Sequence, residues 1–366
     1  MVRYTYDDGA ATLVTDERIG FAFMPCVAIA KGDGVKSLTL KITHEGKEQQ
    51  LNASAMNGVC YIDYREYIQA LFSVEEIRNV DYSPAEGQQF KSKAMIDVTI
   101  DFDIEMTDGK HHNESDELFS YVWGSMRRGE TWNGYKHIVW FKNYPFTFGV
   151  FTYSKGGASR SGIFIDDEIF ETSDAGMYEL SPSLINIDAL VFFTSKVRYK
   201  GRNAVVVYGD EPLLKTITNQ IIGKPLAIID IDDESDDGVY LRWIDRHGFF
   251  RYWLFNEEET SDSVTDDSDF FAVRRDDVLG KGYAHSGANR RLSSRKRSVK
   301  VSAPLVDRDI FQMLVDMVSS PIVDCYINEA WESVTIEAGT YTMNPSDELQ
   351  DFACNVIFTE DYLQRL

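Results

Sequence analysis

The acidic stretch from Asp230 to Gly238 is the first place where this sequence offers chemistry, because hard cations such as Ca²⁺ take several carboxylate oxygens. In the best calcium-loop register, which starts at Asp233, Ile244 falls where a bidentate Glu is required. The residues that follow also predict a strand, whereas a calcium-binding helix–loop–helix needs a helix there. The interpretations that remain are an irregular cation-binding loop and a solvated acidic turn, and we expect the turn.

The sequence gives little indication of a catalytic serine or histidine. Residues 157–161, GASRS, are similar to the turn that presents a nucleophilic serine, but Ser161 replaces the final glycine and no apolar strand and helix surround it. His111 and His112 lie in a predicted exposed turn, where we expect solvated side chains. With 59 acidic residues, neighbouring carboxylates carry almost no information about acid–base catalysis. We therefore expect no catalytic residue, no metal and no cofactor.

The four cysteines are scattered singly along the chain, without a CxxC pair or a Cys/His cluster at metal-ligand spacing. They are Cys26, Cys60, Cys325 and Cys354. Free cysteine packs as a small hydrophobic residue, so the sequence predicts buried, reduced thiols.

Two blocks of opposite charge stand out. The basic segment contains Arg290, Arg291, Arg295, Lys296, Arg297 and Lys300. The acidic run upstream contains Glu257, Glu258, Glu259, Asp262, Asp266, Asp267 and Asp269. They are either two solvated loops or complementary surfaces, where the basic segment of one subunit docks on the acidic run of its neighbour and closes a ring. Nucleic-acid binding by the basic segment is a third interpretation.

Composition narrows these alternatives. The chain has 366 residues, 43% of them hydrophobic and 13% aromatic, which is typical of a globular protein with more than one domain. Its net charge of −22 repels phosphate backbones and anionic lipids, which argues against nucleic acid or a membrane surface as the main partner. The N-terminus lacks the pattern of a secretory signal, and no apolar run approaches the roughly 18 residues that span a bilayer.

Strand patterns dominate the sequence. Residues 96–106 alternate apolar and polar side chains at every step, and residues 37–43 repeat this pattern. The aromatic stretch 138–153 predicts two short strands around Pro145, at a sheet edge. Residues 204–208 predict a further strand.

Residues 239–255 predict a hairpin that should anchor a core, because two strand-forming runs flank the segment DRHG. Helices are predicted from the capping-box pattern at Asp63 and Glu66 and over residues 307–318. The sequence thus predicts a mainly β protein of two or three sandwich-like or barrel-like modules with a few short capping helices.

The domain organisation follows from breaks in these patterns. Residues 154–162 are small and polar, and they predict a flexible linker or loop. We expect an N-terminal β-rich domain over 1–153, a flexible loop and connecting β region over 154–215, and a C-terminal β-rich domain over 216–366 with one helix.

The hairpin segment GVYLRWIDRHGFFRYWLF, residues 238–255, resembles a segment of tail and baseplate-associated proteins of phages and prophages of Bacteroides-type bacteria. Residues 319–326, SSPIVDCY, and 331–336, WESVTI, resemble the same group. The resemblance covers roughly the last 150 residues. It implies a non-enzymatic virion subunit that is made in the host cytoplasm, forms a homo-oligomeric ring and contacts other tail proteins.

Two other functions remain open at this point. Aromatic-rich β modules can present Trp rings to sugars, so a glycan-binding or receptor-binding module is the main alternative. That alternative requires exposed rings among Trp123, Trp132, Trp243 and Trp253. A hydrolase is the third interpretation.

Overall fold

The computed structural model describes most of the chain. The described residues are 1–82, 90–126, 137–152, 161–165, 168–172, 176–180, 204–208, 213–215, 220–222, 225–235, 237–266, 271–274, 286–289 and 293–358. They form a mainly β structure with few helices, which confirms the predicted fold class. The loop predicted over 154–162 lies mostly outside the described residues, as does the serine of residues 157–161.

The strands divide between two compact units. Those of the first are β1 (Val2–Tyr6), β2 (Ala11–Thr15), β3 (Ile19–Phe21), β4 (Val27–Lys31), β5 (Val35–His44), β6 (Lys47–Ser54), β7 (Val59–Asp63), β8 (Phe90–Lys91), β9 (Met95–Met106), β10 (His111–Val122), β11 (His137–Phe141), β12 (Phe148–Thr152), β13 (Ser161–Ile165), β14 (Glu168–Thr172), β15 (Gly176–Leu180), β16 (Ala204–Tyr208), β17 (Leu213–Lys215), β18 (Gln220–Ile222) and β19 (Pro225–Asp232). The remaining strands are β20 (Val239–Ile244), β21 (Phe250–Asp266), β22 (Phe271–Arg274), β23 (Ser286–Asn289), β24 (Ser293–Val306), β25 (Val323–Ile327), β26 (Ala330–Ile336) and β27 (Gln350–Phe358).

Three α-helices lie between these strands in the described residues: α1 (Arg65–Ala70), α2 (Val74–Arg78) and α3 (Arg308–Val318). The prediction of α3 is confirmed, and the Asp307 side chain caps it by accepting the N–H of Ile310 at 2.9 Å. The predicted capping box is wrong, because Tyr64 is the N-cap of α1. Asp63 accepts the N–H of Arg65 instead, in a local turn before the helix.

The division into units differs from the predicted domains. Unit 1 comprises 1–233 and 244–251, and unit 2 comprises 234–243 and 252–366. The main boundary therefore falls near 233 rather than at 153 and 215. The turn between β20 and β21 belongs to unit 1, although the strands on either side of it belong mainly to unit 2.

Unit 1 is built from several sheets that are antiparallel except for the parallel pairs β3–β10 and β11–β19. The first two have the strand orders β1-β2-β4-β7 and β3-β10-β9-β5-β6. The predicted alternation is confirmed in β9, where Val98, Ile100 and Phe102 are buried and the residues between them are partly exposed. Side chains of the two sheets meet in the hydrogen bond from the Tyr6 hydroxyl to Glu114, at 3.0 Å.

Two further sheets of unit 1 have the orders β11-β19-β16-β13-β14 and β12-β15-β8, and β17 pairs with β18. Among the described strands, β11 and β12 lie at the edges of their sheets, which confirms the prediction made around Pro145. The strand predicted over 204–208 is β16.

Unit 2 contains a closed barrel with the strand order β20-β21-β24-β27-β26-β25. The predicted hairpin forms two of these strands, and Trp243, Tyr240 and Tyr252 are fully buried, which confirms that it anchors a core. Closure requires β20 to pair with β25, where Leu241 lies opposite Cys325. All four cysteines are free and buried, as the sequence predicts.

Candidate interaction surface

The acidic run and the basic segment lie on neighbouring strands of unit 2. β21 and β24 pair antiparallel from Asn256 opposite Ser302 to Asp266 opposite Ser293, with a bulge at Glu258. We call this pair of segments, 256–266 and 293–302, the charged arm. The interpretation as two solvated loops is therefore wrong for the described residues, because both segments are strands.

Eight consecutive residues of the charged arm, Asn256 to Ser263, are exposed on β21. This breaks the usual alternation, in which one face of a strand is buried and the other is wet. The change is sharp, since Phe255 just before the arm is fully buried. On β24, Lys296 and Arg297 are exposed, and the strand enters the core at Val299. The outer part of the arm is thus a two-stranded ribbon with water on both faces.

Opposite charges meet across the ribbon. The ammonium of Lys300 lies 2.6 Å from a carboxylate oxygen of Glu258, and this hydrogen bond lowers the pKa of Glu258 and raises the pKa of Lys300. Asp262 lies opposite Arg297 in the strand register. Such exposed pairs contribute little to stability, so their main effect is on the register of the two strands. The two charge blocks are therefore complementary within one chain.

The predicted interaction residues divide into three groups. The arm brings together Glu257, Glu258, Glu259, Lys296, Arg297 and Lys300. Asp266 belongs to β21 of the arm and Arg295 to β24. Arg290, Arg291, Asp267 and Asp269 lie outside the described residues.

Near the arm in sequence, β22 and β23 pair antiparallel as a separate two-stranded sheet, where Phe271 lies opposite Asn289. The edges of the arm differ. β24 is bordered by β27 from Ser298 onward, whereas among the described strands β21 has only β24 as a partner beyond Asn256.

Comparisons with known proteins place this chain in no family. No protein-family model matches it, and no curated protein matches it. A solved structure of fibronectin(III)-like modules of Clostridium thermocellum CbhA is similar over 61% of this chain and 93% of that chain. The sequence identity is 10% and the TM-score is 0.16, so this likeness supports no conclusion about function.

A buried polar network occupies the turn between β20 and β21, within unit 1. One carboxylate oxygen of Asp245 accepts the N–H groups of His247 at 2.8 Å and Phe249 at 3.0 Å. The other oxygen accepts the Nε–H of Arg251 at 2.7 Å. Burial raises the pKa of Asp245, but the charge of Arg251 and the contacts with His247 outweigh this effect and lower it to about 2.

Glu179 is the second carboxyl group of this network. It accepts a hydrogen bond from the Thr147 hydroxyl at 2.9 Å and a longer one from the N–H of Phe250 at 3.5 Å. Burial raises its pKa to about 7, against the lowering effect of these hydrogen bonds and of Arg251. Two carboxyl groups with pKa values pushed apart resemble an acid–base pair. All of these side chains are buried, so no substrate reaches them in this conformation.

Sequence reasoning missed this network, since it treats residues 245–248 as a polar turn. The available signal was an Asp at the first turn position with a glycine three residues later. Gly248 has φ +85°, and a Cβ there would lie 2.6 Å from a Val122 side-chain carbon. The turn therefore requires glycine and a carboxylate together.

Glu179→Gln is expected to remove part of the pH dependence of stability. Between pH 4.5 and about 7 the folded protein keeps a proton on Glu179 that the unfolded chain has lost, so stability falls as pH rises through this window. The loss attributable to Glu179 is roughly 2–3 kcal/mol. Because Gln mimics the protonated carboxyl, the variant should equal the wild type near pH 4.5 and exceed its stability at pH 8. Urea unfolding at both pH values measures this.

Asp16 supplies the matched control for this prediction. Burial raises its pKa to about 6, and it accepts hydrogen bonds from the N–H of Val27 and the hydroxyl of Tyr64, each at 3.1 Å. Asp16→Asn should leave the contribution of Glu179 in place. An equal loss of stability at both pH values in Glu179→Gln would contradict the assignment.

The sequence predictions about tryptophan and histidine side chains can be compared with their burial. The Trp243 ring is buried and Trp123 is only 9% exposed, which removes both as sugar platforms, while Trp253 is half-buried and Trp132 lies outside the described residues. The expectation of solvated histidines is wrong for His112, because it stacks on Tyr6 with ring centroids 4.9 Å apart.

The acidic stretch 230–238 is not simply a solvated turn, because Asp230 and Asp232 are buried on β19. Within the ranges that the structure describes, no group of three or more His, Cys, Asp or Glu residues is placed to hold a metal ion. None of the helices in these ranges is long and apolar enough to cross a membrane.

Proposed function

We propose that this protein is a non-enzymatic structural subunit of a bacteriophage tail or baseplate, which forms a homo-oligomeric ring and connects other tail proteins. The observation that carries the proposal is the charged arm. A two-stranded ribbon with both faces in water is marginally stable by itself, and a partner that covers it would stabilise it. The resemblance of residues 238–255, 319–326 and 331–336 to tail proteins supports the choice of a virion as the setting.

The buried polar network is consistent with a structural role. Its ionisable groups are sealed and hydrogen-bonded to backbone N–H groups of the turn, which is how a polar network rigidifies a fold. The negative charge of the chain favours solubility before assembly, as a subunit made in the host cytoplasm requires.

Two measurements test the proposal. Mass photometry of the purified chain should show an oligomer of defined size, and mass spectrometry of purified phage particles should detect the protein at a stoichiometry above one per particle. A strictly monomeric protein that is absent from particles would refute the proposal. Turnover in an activity screen against polysaccharides and peptides would refute its non-enzymatic part.

A further inference from the structure

Strand β6 forms one edge of the sheet β3-β10-β9-β5-β6 in unit 1. Among the described strands it pairs with β5 alone, over eight residues and a length of roughly 25 Å at about 3.3 Å per residue. All of its residues are exposed except Leu51 and Ala53, which are partly buried. The opposite edge of the sheet is short, because β3 has three residues. The side chains of β6 therefore reach water on both faces of the strand.

The backbone groups of every second residue of β6 point away from β5. The N–H of Ala55, just after the strand, donates to the carbonyl of Lys36 on β5 at 2.8 Å. The odd-numbered residues of β6 therefore direct their N–H and C=O groups at β5, and the even-numbered residues from Glu48 to Ser54 direct theirs outward. A row of outward N–H and C=O groups pairs readily with a further strand.

This edge lacks the features that usually protect a sheet from pairing. Proteins block free edges with proline, charged side chains or bulges. The pairing of β5 with β6 has no bulge, and residues 49–54, QQLNAS, contain neither proline nor a charged side chain. The nearest charges compensate each other, since the ammonium of Lys41 lies 2.7 Å from a carboxylate oxygen of Glu48. In a chain with a net charge of −22, two copies repel each other least where such a neutral segment forms the contact.

A twofold axis at Leu51 fits two copies of β6 together. In this antiparallel register, Leu51 of one copy lies opposite Leu51 of the other, Gln50 lies opposite Asn52, and Glu48 lies opposite Ser54. No like charges face each other, and the outward groups of Gln50 and Asn52 form hydrogen-bonded pairs. Because the backbone groups of Leu51 point at β5, the two leucines form a non-hydrogen-bonded pair, whose Cα atoms lie about 4.5 Å apart.

The two leucines also extend the core of the sheet. Leu51 lies opposite Leu40 of β5, which is fully buried, so its side chain is on the inner face of the sheet. A second Leu51 beside it would cover apolar surface that is still accessible in one copy. We infer that two copies of this chain pair antiparallel through their β6 edges, centred on Leu51, so that their two sheets become one continuous sheet.

This contact is isologous, because the same surface of each copy takes part, and it closes after two copies. A ring of more than two copies needs a different surface. The inference therefore goes beyond the proposed function, and it does not depend on the assignment to a phage tail.

Paired cysteines test the register. Gln49 of one copy lies opposite Ala53 of the other in a non-hydrogen-bonded pair, at a Cα separation of about 4.5 Å that a disulfide spans. An equimolar mixture of Gln49→Cys and Ala53→Cys should therefore form a disulfide-linked dimer with one copy of each variant under mild oxidation. In either variant alone the new thiols lie about 13 Å apart, four residues along the strand, and should stay unlinked. Mass spectrometry identifies the linked peptides, and the wild type, whose four cysteines are buried, is the control.

A proline on the outer edge tests the hydrogen bonds of the contact. Asn52→Pro removes an outward N–H that would donate to the Gln50 carbonyl of the other copy, and it removes no N–H that points at β5. We expect the dissociation constant of the dimer to rise by about tenfold or more, measured by sedimentation velocity. Asn52→Ala keeps this N–H and should dimerise like the wild type. Circular dichroism confirms that both variants are folded.

The outcomes separate the inference from the proposed function. A wild type that sediments as a monomer at micromolar concentration, or a folded Asn52→Pro variant that dimerises like Asn52→Ala, overturns the inference. Cross-linking in either cysteine variant alone that equals the cross-linking in the mixture also overturns it. A protein that dimerises through β6 but is absent from phage particles refutes the proposed function while the inference stands. A protein that is present in particles but gives no linked dimer in the mixture refutes the inference while the proposed function stands.

Discussion

Asp324→Ala is expected to lower the free energy of unfolding of unit 2 by about 3–5 kcal/mol. Asp324 and Arg242 lie opposite each other on β25 and β20, and the Nε of Arg242 donates to the carboxylate at 2.9 Å. Both side chains are at most 3% exposed. Removing the carboxylate takes a hydrogen-bonded counter-charge away from a buried guanidinium, which is far more costly than losing an exposed ion pair. Chemical denaturation followed by tryptophan fluorescence measures the loss.

The double variant Arg242→Met/Asp324→Leu is the matched control for this prediction. Replacing a buried ion pair by apolar side chains of similar volume is often neutral or stabilising, so the double variant should be more stable than Asp324→Ala. It loses the contact in which the Arg242 guanidinium lies 4.5 Å from the centre of the Trp331 ring, a contact worth about 1 kcal/mol. A loss below about 1 kcal/mol in Asp324→Ala would contradict a stabilising role of the carboxylate as counter-charge to Arg242.

The sequence predicts the elements whose side chains alternate between core and water. In β9 every second residue from Val98 to Met106 is apolar and buried, so the pattern alone predicts the strand and its inner face. In α3, predicted over residues 307–318, the apolar residues Ile310, Leu314 and Met317 are buried, and Asp307 caps the start of the helix. These predictions succeed because local sequence and burial agree.

The charged arm could not be predicted from such patterns, for a physical reason. Residues 256–263 are exposed, so their sequence shows no alternation of apolar and polar side chains. They form a strand because they pair with β24. Their charge identifies the right residues but not the partner. Complementarity suggests a neighbouring subunit, and the ladder shows that the first partner lies in the same chain. The pairing of β20 with β25 and the interleaved units depend on contacts between distant residues, which periodicity does not contain.

Asp245→Ala is the second substitution with a large expected effect, because the carboxylate serves three donors in a buried turn. Its loss removes the carboxylate that accepts the N–H groups of His247 and Phe249 and the Nε–H of Arg251. Unpaired buried donors cost about 1–3 kcal/mol each, and these costs are partly relieved by relaxation of the turn. We expect unit 1 to lose about 3–5 kcal/mol, measured by urea unfolding at pH 7.

Asp245→Asn separates the hydrogen bonds of the turn from the charge. The amide oxygen of Asn still accepts the N–H groups of His247 and Phe249, but the negative charge that faces Arg251 is gone. We therefore expect an intermediate loss of stability at pH 7. Between pH 3.8 and about 2 the unfolded wild-type chain takes up a proton on Asp245 while the folded protein keeps the carboxylate charged, so wild-type stability falls as pH falls. The Asn variant should show a smaller decrease over this window. If Asn and Ala are equally destabilising, the charge of Asp245 and not its hydrogen bonds to the backbone holds the turn.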